Sequence, residues 1–200
     1  YEDALQKFRM VYKANSSDFQ ATYNIANCYY KLEQYYVAVR WYLEARKLRP
    51  LDYQTLFNLA LTYIKIRHFE KAIGVINALK TIRYEDSKVY YLLGSLYLYQ
   101  GKFDEAIKNY NSGIRLQSEF QTFDREGHLM LFYLHSIKRE YTLAENYARI
   151  IAQYYNLDQY YNFNLGFVLK NLGKFTEAEE RYKKAIEINA KFKEAYINYL

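Results

Sequence analysis

The sequence predicts an all-α fold built from tandem helical hairpins, and three observations carry that prediction. An Ala or Gly recurs with an Ala twelve residues behind it, as Ala26/Ala38, Ala60/Ala72, Gly94/Ala106 and Gly166/Ala178. Much of the chain repeats with a period of 34 residues, which lies in the range of stacked helical hairpins. Around each small pair, large apolar residues fall at helical spacing.

The elements follow in order. Ala4, Phe8 and Val11 fit the second helix of a preceding unit over residues 1–18. The first complete unit is 19–52, with Ile25, Ala26, Tyr29, Tyr35, Ala38, Tyr42, Ala45 and Pro50 in frame. In 53–86, Leu56, Leu59 and Tyr63 share a face, a break falls at Arg67-His68, and Phe69, Ala72, Ile76 and Leu79 resume the spacing. Residues 87–120 carry Tyr90, Leu93, Gly94, Tyr97, Gly101, Phe103, Ala106 and Tyr110. Residues 159–192 carry Leu165, Gly166, Gly173, Phe175, Ala178, Tyr182 and Ala185. Small residues let paired helices approach, and the aromatics fill the space between layers. Gly101 and Gly173 stand where a first helix ends and suit a left-handed C-cap. Pro50 marks the end of a second helix, since proline cannot continue one.

A divergent unit occupies 125–158, after a four-residue excess at Gln121–Asp124. Its small place holds Phe132 and its large aromatic place holds Ala148, an exchange able to conserve core volume. The layer spacing is expected to change near 118–126. His128 and His135 lie seven residues apart on one helix face. Without further ligands at short spacing they read as packing residues rather than a metal site.

These residues resemble the tetratricopeptide repeat (TPR) family, best over Tyr90–Tyr110 and Leu165–Ala185, and the resemblance covers essentially all 200 residues. The resemblance implies a right-handed α-solenoid of tandem helix-turn-helix hairpins. First helices would line a concave groove, with second helices largely on the convex side. Residues 193–200, from Phe192-Lys193-Glu194-Ala195-Tyr196 onward, read as the start of a further repeat. Neither end carries a solvating cap helix, so the chain reads as a segment of a longer protein.

Composition agrees with an intracellular helical array. Hydrophobic residues make up 51% of the chain, yet no run approaches the roughly 18 apolar residues of a membrane span. The single cysteine, Cys28, excludes an internal disulfide framework, fits a reducing cytoplasm and reads as a small packing residue. No Gly-rich phosphate loop, nucleophile elbow or metal-ligand cluster is present, so an enzyme is not expected and no cofactor is implied. Asp104-Glu105 and Glu179-Glu180 fall near second-helix starts, where negative charge suits the helix dipole.

The groove supplies candidate binding residues. First-helix side chains facing away from the partner helix are Gln54, Phe57, Leu61 and Ile64 in one unit, and Lys88, Tyr91, Ser95 and Leu98 in the next. Tyr160, Phe163, Phe167 and Lys170 are their counterparts in 159–192. This apolarity exceeds what a solvated groove needs and suits a partner helix or extended segment; cover by neighbouring repeats is the alternative. Asn24, Asn58, Asn164 and Asn198 share a column, interrupted by Leu92 and Met130, and their amides could read a ligand backbone.

Some TPR co-chaperones grip the acidic C-termini of Hsp70 or Hsp90 with lysines, asparagines and an arginine. The matching places here hold Tyr23, Asn27, Asn58, Lys88 and Leu92. The first lysine and the arginine are lost, and with them most of the attraction for a carboxylate.

The net charge of +6 lies entirely within 40–83, where nine Lys/Arg face Glu44, Asp52 and Glu70. Arg46 and Lys80 stand one repeat apart, as do Arg49 and Arg83, and form a basic edge. Such cations either serve helix C-termini or meet an acidic protein surface. Nucleic acid is not expected, because the groove residues are not basic and no nucleic-acid module is recognisable. The sequence therefore points to a non-catalytic interaction scaffold within a multiprotein assembly. A substrate-recruiting arm of a larger enzyme, as in some glycosyltransferases, is the alternative, and a co-chaperone adaptor ranks below it.

Overall fold

The structure is a computed structural model that describes residues 1–83, 85–118, 123–153 and 158–192. Among the described residues there are eleven helices and no strand, as the 34-residue period predicts. They are α1 (Glu2–Ala14), α2 (Phe19–Lys31), α3 (Tyr35–Leu48), α4 (Tyr53–Lys65), α5 (Phe69–Ile82) and α6 (Ser87–Tyr99). There follow α7 (Phe103–Ser118), α8 (Arg125–Ile137), α9 (Tyr141–Ala152), α10 (Gln159–Asn171) and α11 (Phe175–Ile188).

Each first helix begins at an aspartate whose side chain accepts a backbone N–H of the first turn. Asp18 accepts from Ala21 at 2.6 Å, Asp52 from Thr55 at 2.8 Å and Asp86 from Lys88 at 2.9 Å. Asp124 accepts from Gly127 at 3.1 Å and Asp158 from Tyr161 at 2.8 Å. A carboxylate here satisfies an orphan donor and complements the helix dipole. This aspartate column repeats with the chain's period, but a search for apolar frames passes over it.

Each hairpin turns through one residue in the left-handed region. Gly101 (φ 73°) and Gly173 (φ 75°) are where the sequence places them, and Glu33 (φ 58°), Arg67 (φ 61°) and Arg139 (φ 61°) adopt the same conformation. The following N–H reaches back five residues at 2.9 Å, from Gln34 to Tyr29, His68 to Tyr63, Lys102 to Tyr97, Glu140 to His135 and Lys174 to Leu169. This is the bond of the Schellman motif, which closes a helix over its last carbonyls.

The chain forms two compact units, Tyr1–Asn109 and Tyr110 onward. In the first, successive helices from α1 to α6 pack as neighbours, and α4 also meets α6. Ala26, Ala38, Ala60 and Ala72 are fully buried, which lets paired helices approach, and Ile25, Leu56, Leu59, Ile76 and Leu96 fill the layers. In the second unit α8 packs on α9, α9 on α10 and α10 on α11. A Cβ at Gly166 would lie 2.7 Å from the ring of buried Tyr182, which explains the small residue in that column.

The divergent hairpin compensates in a way its own sequence does not reveal. Phe132 and Ala148 are both fully buried in one core. Tyr161 joins them from the next hairpin, with its ring 5.5 Å from Phe132 and its hydroxyl donating to the Ala148 carbonyl at 2.6 Å. The corresponding places elsewhere hold Ala21, Thr55, Val89 and Gly127, so α10 supplies the aromatic that α9 lacks. Gln121 and Thr122 of the four-residue excess, and with them part of the 118–126 junction, lie outside the described residues. The same holds for residues 193–200, including Asn198.

Candidate functional site

The first-helix faces of the first unit carry most of the candidate residues. Tyr23, Asn24, Asn27, Phe57, Asn58, Leu61, Tyr91 and Leu98 are half-buried, and Gln54 and Lys88 are exposed. Ile64 is a correction: it is fully buried within the core and cannot meet a partner. Three residues on from Leu61, Ile64 lies in the last turn of α4 and is taken into the core cluster.

Among the asparagines, Asn27, Asn58 and Asn164 have part of their hydrogen-bonding capacity engaged within the chain. Asn58 Nδ2 donates to the Tyr23 hydroxyl at 2.9 Å and to Asn27 Oδ1 at 3.1 Å. The buried Tyr42 hydroxyl also donates to Asn27 Oδ1, at 2.7 Å. Burial raises the Tyr42 pKa above its ordinary value and keeps that hydroxyl a donor. The network ties α2, α3 and α4 together, so these amides align helices before they read any ligand. Four of the co-chaperone clamp places are also accounted for. Tyr23, Asn27 and Asn58 belong to this network and Leu92 is buried, which leaves Lys88 as the only cation among the five.

In the second unit Phe163 is half-buried, and Phe167 and Tyr160 are 40% and 55% exposed. Phe163 lies 5.8 Å from Tyr182 and 5.3 Å from Phe192, and Tyr160 also meets Phe192 at 5.3 Å. Phe167 meets Tyr141 edge-on at 6.1 Å. Asn164 Nδ2 donates to the Tyr160 carbonyl of its own helix at 2.7 Å, so it too is engaged.

The basic edge rests on aromatic rings. The Arg49 guanidinium sits 4.3 Å over the Phe19 ring and Arg83 lies 4.8 Å over Tyr53. Lys80 lies 5.6 Å over Tyr90, and Arg46 is half-buried. Charge, ring quadrupole and helix end all favour these cations where they are. The ring contacts are a signal that sequence spacing missed, because Arg49 and Arg83 each meet a ring thirty positions earlier and Lys80 one ten positions later.

Three further groups are settled by their partners. His128 Nδ1 lies 2.6 Å from the Asp124 carbonyl, and its ring stacks on Phe123. His135 stacks on Tyr147 at 5.4 Å and shares a hydrogen bond with Glu140 at 2.6 Å. Both histidines therefore act as packing residues. Cys28 is buried, and desolvation pushes its thiol above the ordinary value, away from the reactive thiolate.

Glu145 is a buried carboxylate that no groove pattern marks. Lys174 Nζ reaches it at 2.6 and 2.8 Å and Arg149 Nε at 3.0 Å. Among the described residues no group of three or more metal-ligating side chains occurs, and no helix is long and apolar enough to cross a membrane.

Comparison with known proteins agrees with this architecture. Tetratricopeptide repeat family models match residues 87–120 and 159–192. A model for subunit 3 of the anaphase-promoting complex (cyclosome) matches residues 1–79. No curated protein matches the chain. Among solved structures, the chain is similar to a tetratricopeptide repeat protein from Parabacteroides merdae, with 15% identity over 99% of this chain and 76% of that one, at a TM-score of 0.78. It is similar to the APC/C hetero-tetramer Cut9–Hcn1, with 13% identity over 99% of this chain and 39% of that one, at 0.80. It is also similar to YrrB, a TPR protein with an unusual peptide-binding site, with 16% identity over 97% and 98%, at 0.60. At these identities the structural likeness establishes the fold alone. With its repeat models matched and its helices paired through small-residue columns, the chain belongs to the tetratricopeptide repeat family.

Proposed function

We propose that this chain is a non-catalytic protein-interaction scaffold whose first helices hold a helix or extended segment of a partner protein. The repeats are taken as 19–52, 53–86, 87–120, 125–158 and 159–192. The observation that carries the reading is the line of half-buried apolar side chains on first helices, Phe57, Leu61, Tyr91 and Leu98, of which Phe57 and Leu61 pack against the buried core and still keep part of their surface uncovered. Residues of this kind gain free energy when a partner completes their burial, about 25 cal/mol for each Å² of apolar surface covered. The likeness to YrrB, a protein described by its peptide-binding site, and to the Cut9–Hcn1 assembly supports the same reading.

The test is photo-crosslinking in native extract, with the probe at Tyr91 of the full-length protein. A stoichiometric partner segment, lost in a Leu61→Glu variant that remains helical, is expected. Crosslinks confined to the protein's own chain would overturn the reading.

A further inference from the structure

Of the nine cations in residues 40–83, only Lys47 has a carboxylate within reach among the described residues, Glu44 at 2.7 Å. Five of the others rest on aromatic rings without neutralisation. Arg49, Lys71, Lys80 and Arg83 lie over aromatic rings, and Lys65 lies over Tyr99 while also donating to its hydroxyl at 2.9 Å. In the second unit, by contrast, Lys138, Arg149 and Lys174 all have carboxylate partners.

Arg49 and Arg83 are the informative pair. Both are exposed and each covers the first aromatic residue of a first helix, Phe19 or Tyr53. Each ring in turn stacks on the aromatic residue one helical turn along, Tyr23 or Phe57, at 6.0 Å. The same cation–ring–ring stack therefore occurs twice, 34 residues apart, and its inner member is a groove residue. Stacking engages the face of a guanidinium and leaves its in-plane N–H donors available for bidentate pairing with a carboxylate. Neither guanidinium donates to an acceptor among the described residues. The ring contact also holds each side chain in place, which lowers the entropy lost on binding.

We propose that these two stacks form a docking edge for an extended acidic segment of a partner protein, whose carboxylates pair with Arg49 and Arg83 in turn. The proposal rests on the groove reading, because the segment passes from the edge along Tyr23 and Phe57. The hydrogen bond from Asn58 to Tyr23 shows that α2 and α4 are direct neighbours. Helices in contact lie about 10 Å apart. A segment in the extended polyproline II conformation advances about 3.1 Å per residue with three residues per turn, so acidic residues at every third position would lie on one side, about 9 Å apart, and match the pair. Single-stranded nucleic acid fits less well. It needs open ring faces for base stacking, and Phe19 and Tyr53 already have a guanidinium and a second ring against them.

The experiment is fluorescence anisotropy with the full-length protein and three labelled probes. One is a peptide with glutamate at every third position among serines and threonines. The second has the same composition with its glutamates contiguous, and the third is an oligothymidylate of similar length. The spaced peptide is expected to bind tightest, and Arg49→Gln with Arg83→Gln to weaken it by about tenfold, the scale of a lost charge-assisted bond. Should the glutamine pair disturb folding, Arg49→Lys with Arg83→Lys keeps charge and ring contact and is expected to lose affinity by a smaller factor. Tighter binding of the oligothymidylate, equal binding of the two peptides, or no binding of any probe would overturn the inference. If Leu61→Glu abolishes peptide binding while the arginine variants leave it unchanged, the edge falls and the groove stands. The reverse pattern keeps the edge and removes the groove.

Discussion

Exchanging the aromatic between α9 and α10 tests how the divergent hairpin is held together. Tyr161 is 2% exposed, packs against Phe132 and donates its hydroxyl to the Ala148 carbonyl. Tyr161→Ala removes a buried ring and one buried hydrogen bond, and is expected to cost about 4 kcal/mol. Ala148→Tyr alone restores the residue type found at Tyr42 and Tyr182, but drives it into space that Tyr161 already fills. That overpacking is expected to cost about 2 kcal/mol. Combined, the two changes return the aromatic to α9 and open the space it needs. The double variant should therefore lose only about 3 kcal/mol, a coupling of about 3 kcal/mol in its favour. Urea unfolding followed by far-ultraviolet circular dichroism, run on all four proteins, measures the cycle. Costs that add to within about 0.5 kcal/mol would refute the claim that Tyr161 occupies the place vacated at Ala148.

Two further predictions concern the turns and the buried carboxylate. Glu33 and Arg139 hold a left-handed conformation without being glycine, so Glu33→Gly and Arg139→Gly should each stabilise by about 1 kcal/mol. Gly101→Ala meets no atom within 4 Å yet should destabilise by about 1 kcal/mol through strain alone. Thermal unfolding that ranks these variants in the opposite order would remove the turn argument. At Glu145 burial pushes the carboxyl up, but the hydrogen bonds and charges of Lys174 and Arg149 outweigh it and hold the group below its ordinary 4.5. A folded value below the unfolded one stabilises fully above about pH 4.5 and is lost as pH falls through the folded value. Glu145→Gln should therefore flatten the acid limb of the stability curve, and an unchanged limb would count against the ion-pair account.

Helices, their pairing and their ends were legible in the sequence because they depend on residues close in the chain. Three- and four-residue spacing places Leu56, Leu59 and Tyr63 on one face whatever lies around them. A glycine at 101 or 173 announces a left-handed turn because only glycine adopts it without strain. The candidate site was legible only in outline. Phe57, Leu61 and Tyr91 remain half-buried, whereas Ile64 follows the same spacing into the core. Periodicity names a direction around the helix and is silent about how far along it the neighbouring helix extends its cover.

By itself, the sequence determined the helical class, the 34-residue hairpin, the small-residue columns and the concentration of positive charge in residues 40–83. Tertiary structure alone decided which of those side chains are engaged. Asn58 reaches Tyr23 across 35 positions, Tyr161 fills a space made 13 positions earlier, and Arg49 finds Phe19 at the far end of its own hairpin. The physical reason is range. Helix formation is governed by torsions and contacts within about one turn, while hydrogen-bond partners, buried volume and cation–ring contacts depend on which surfaces the stacked hairpins bring together.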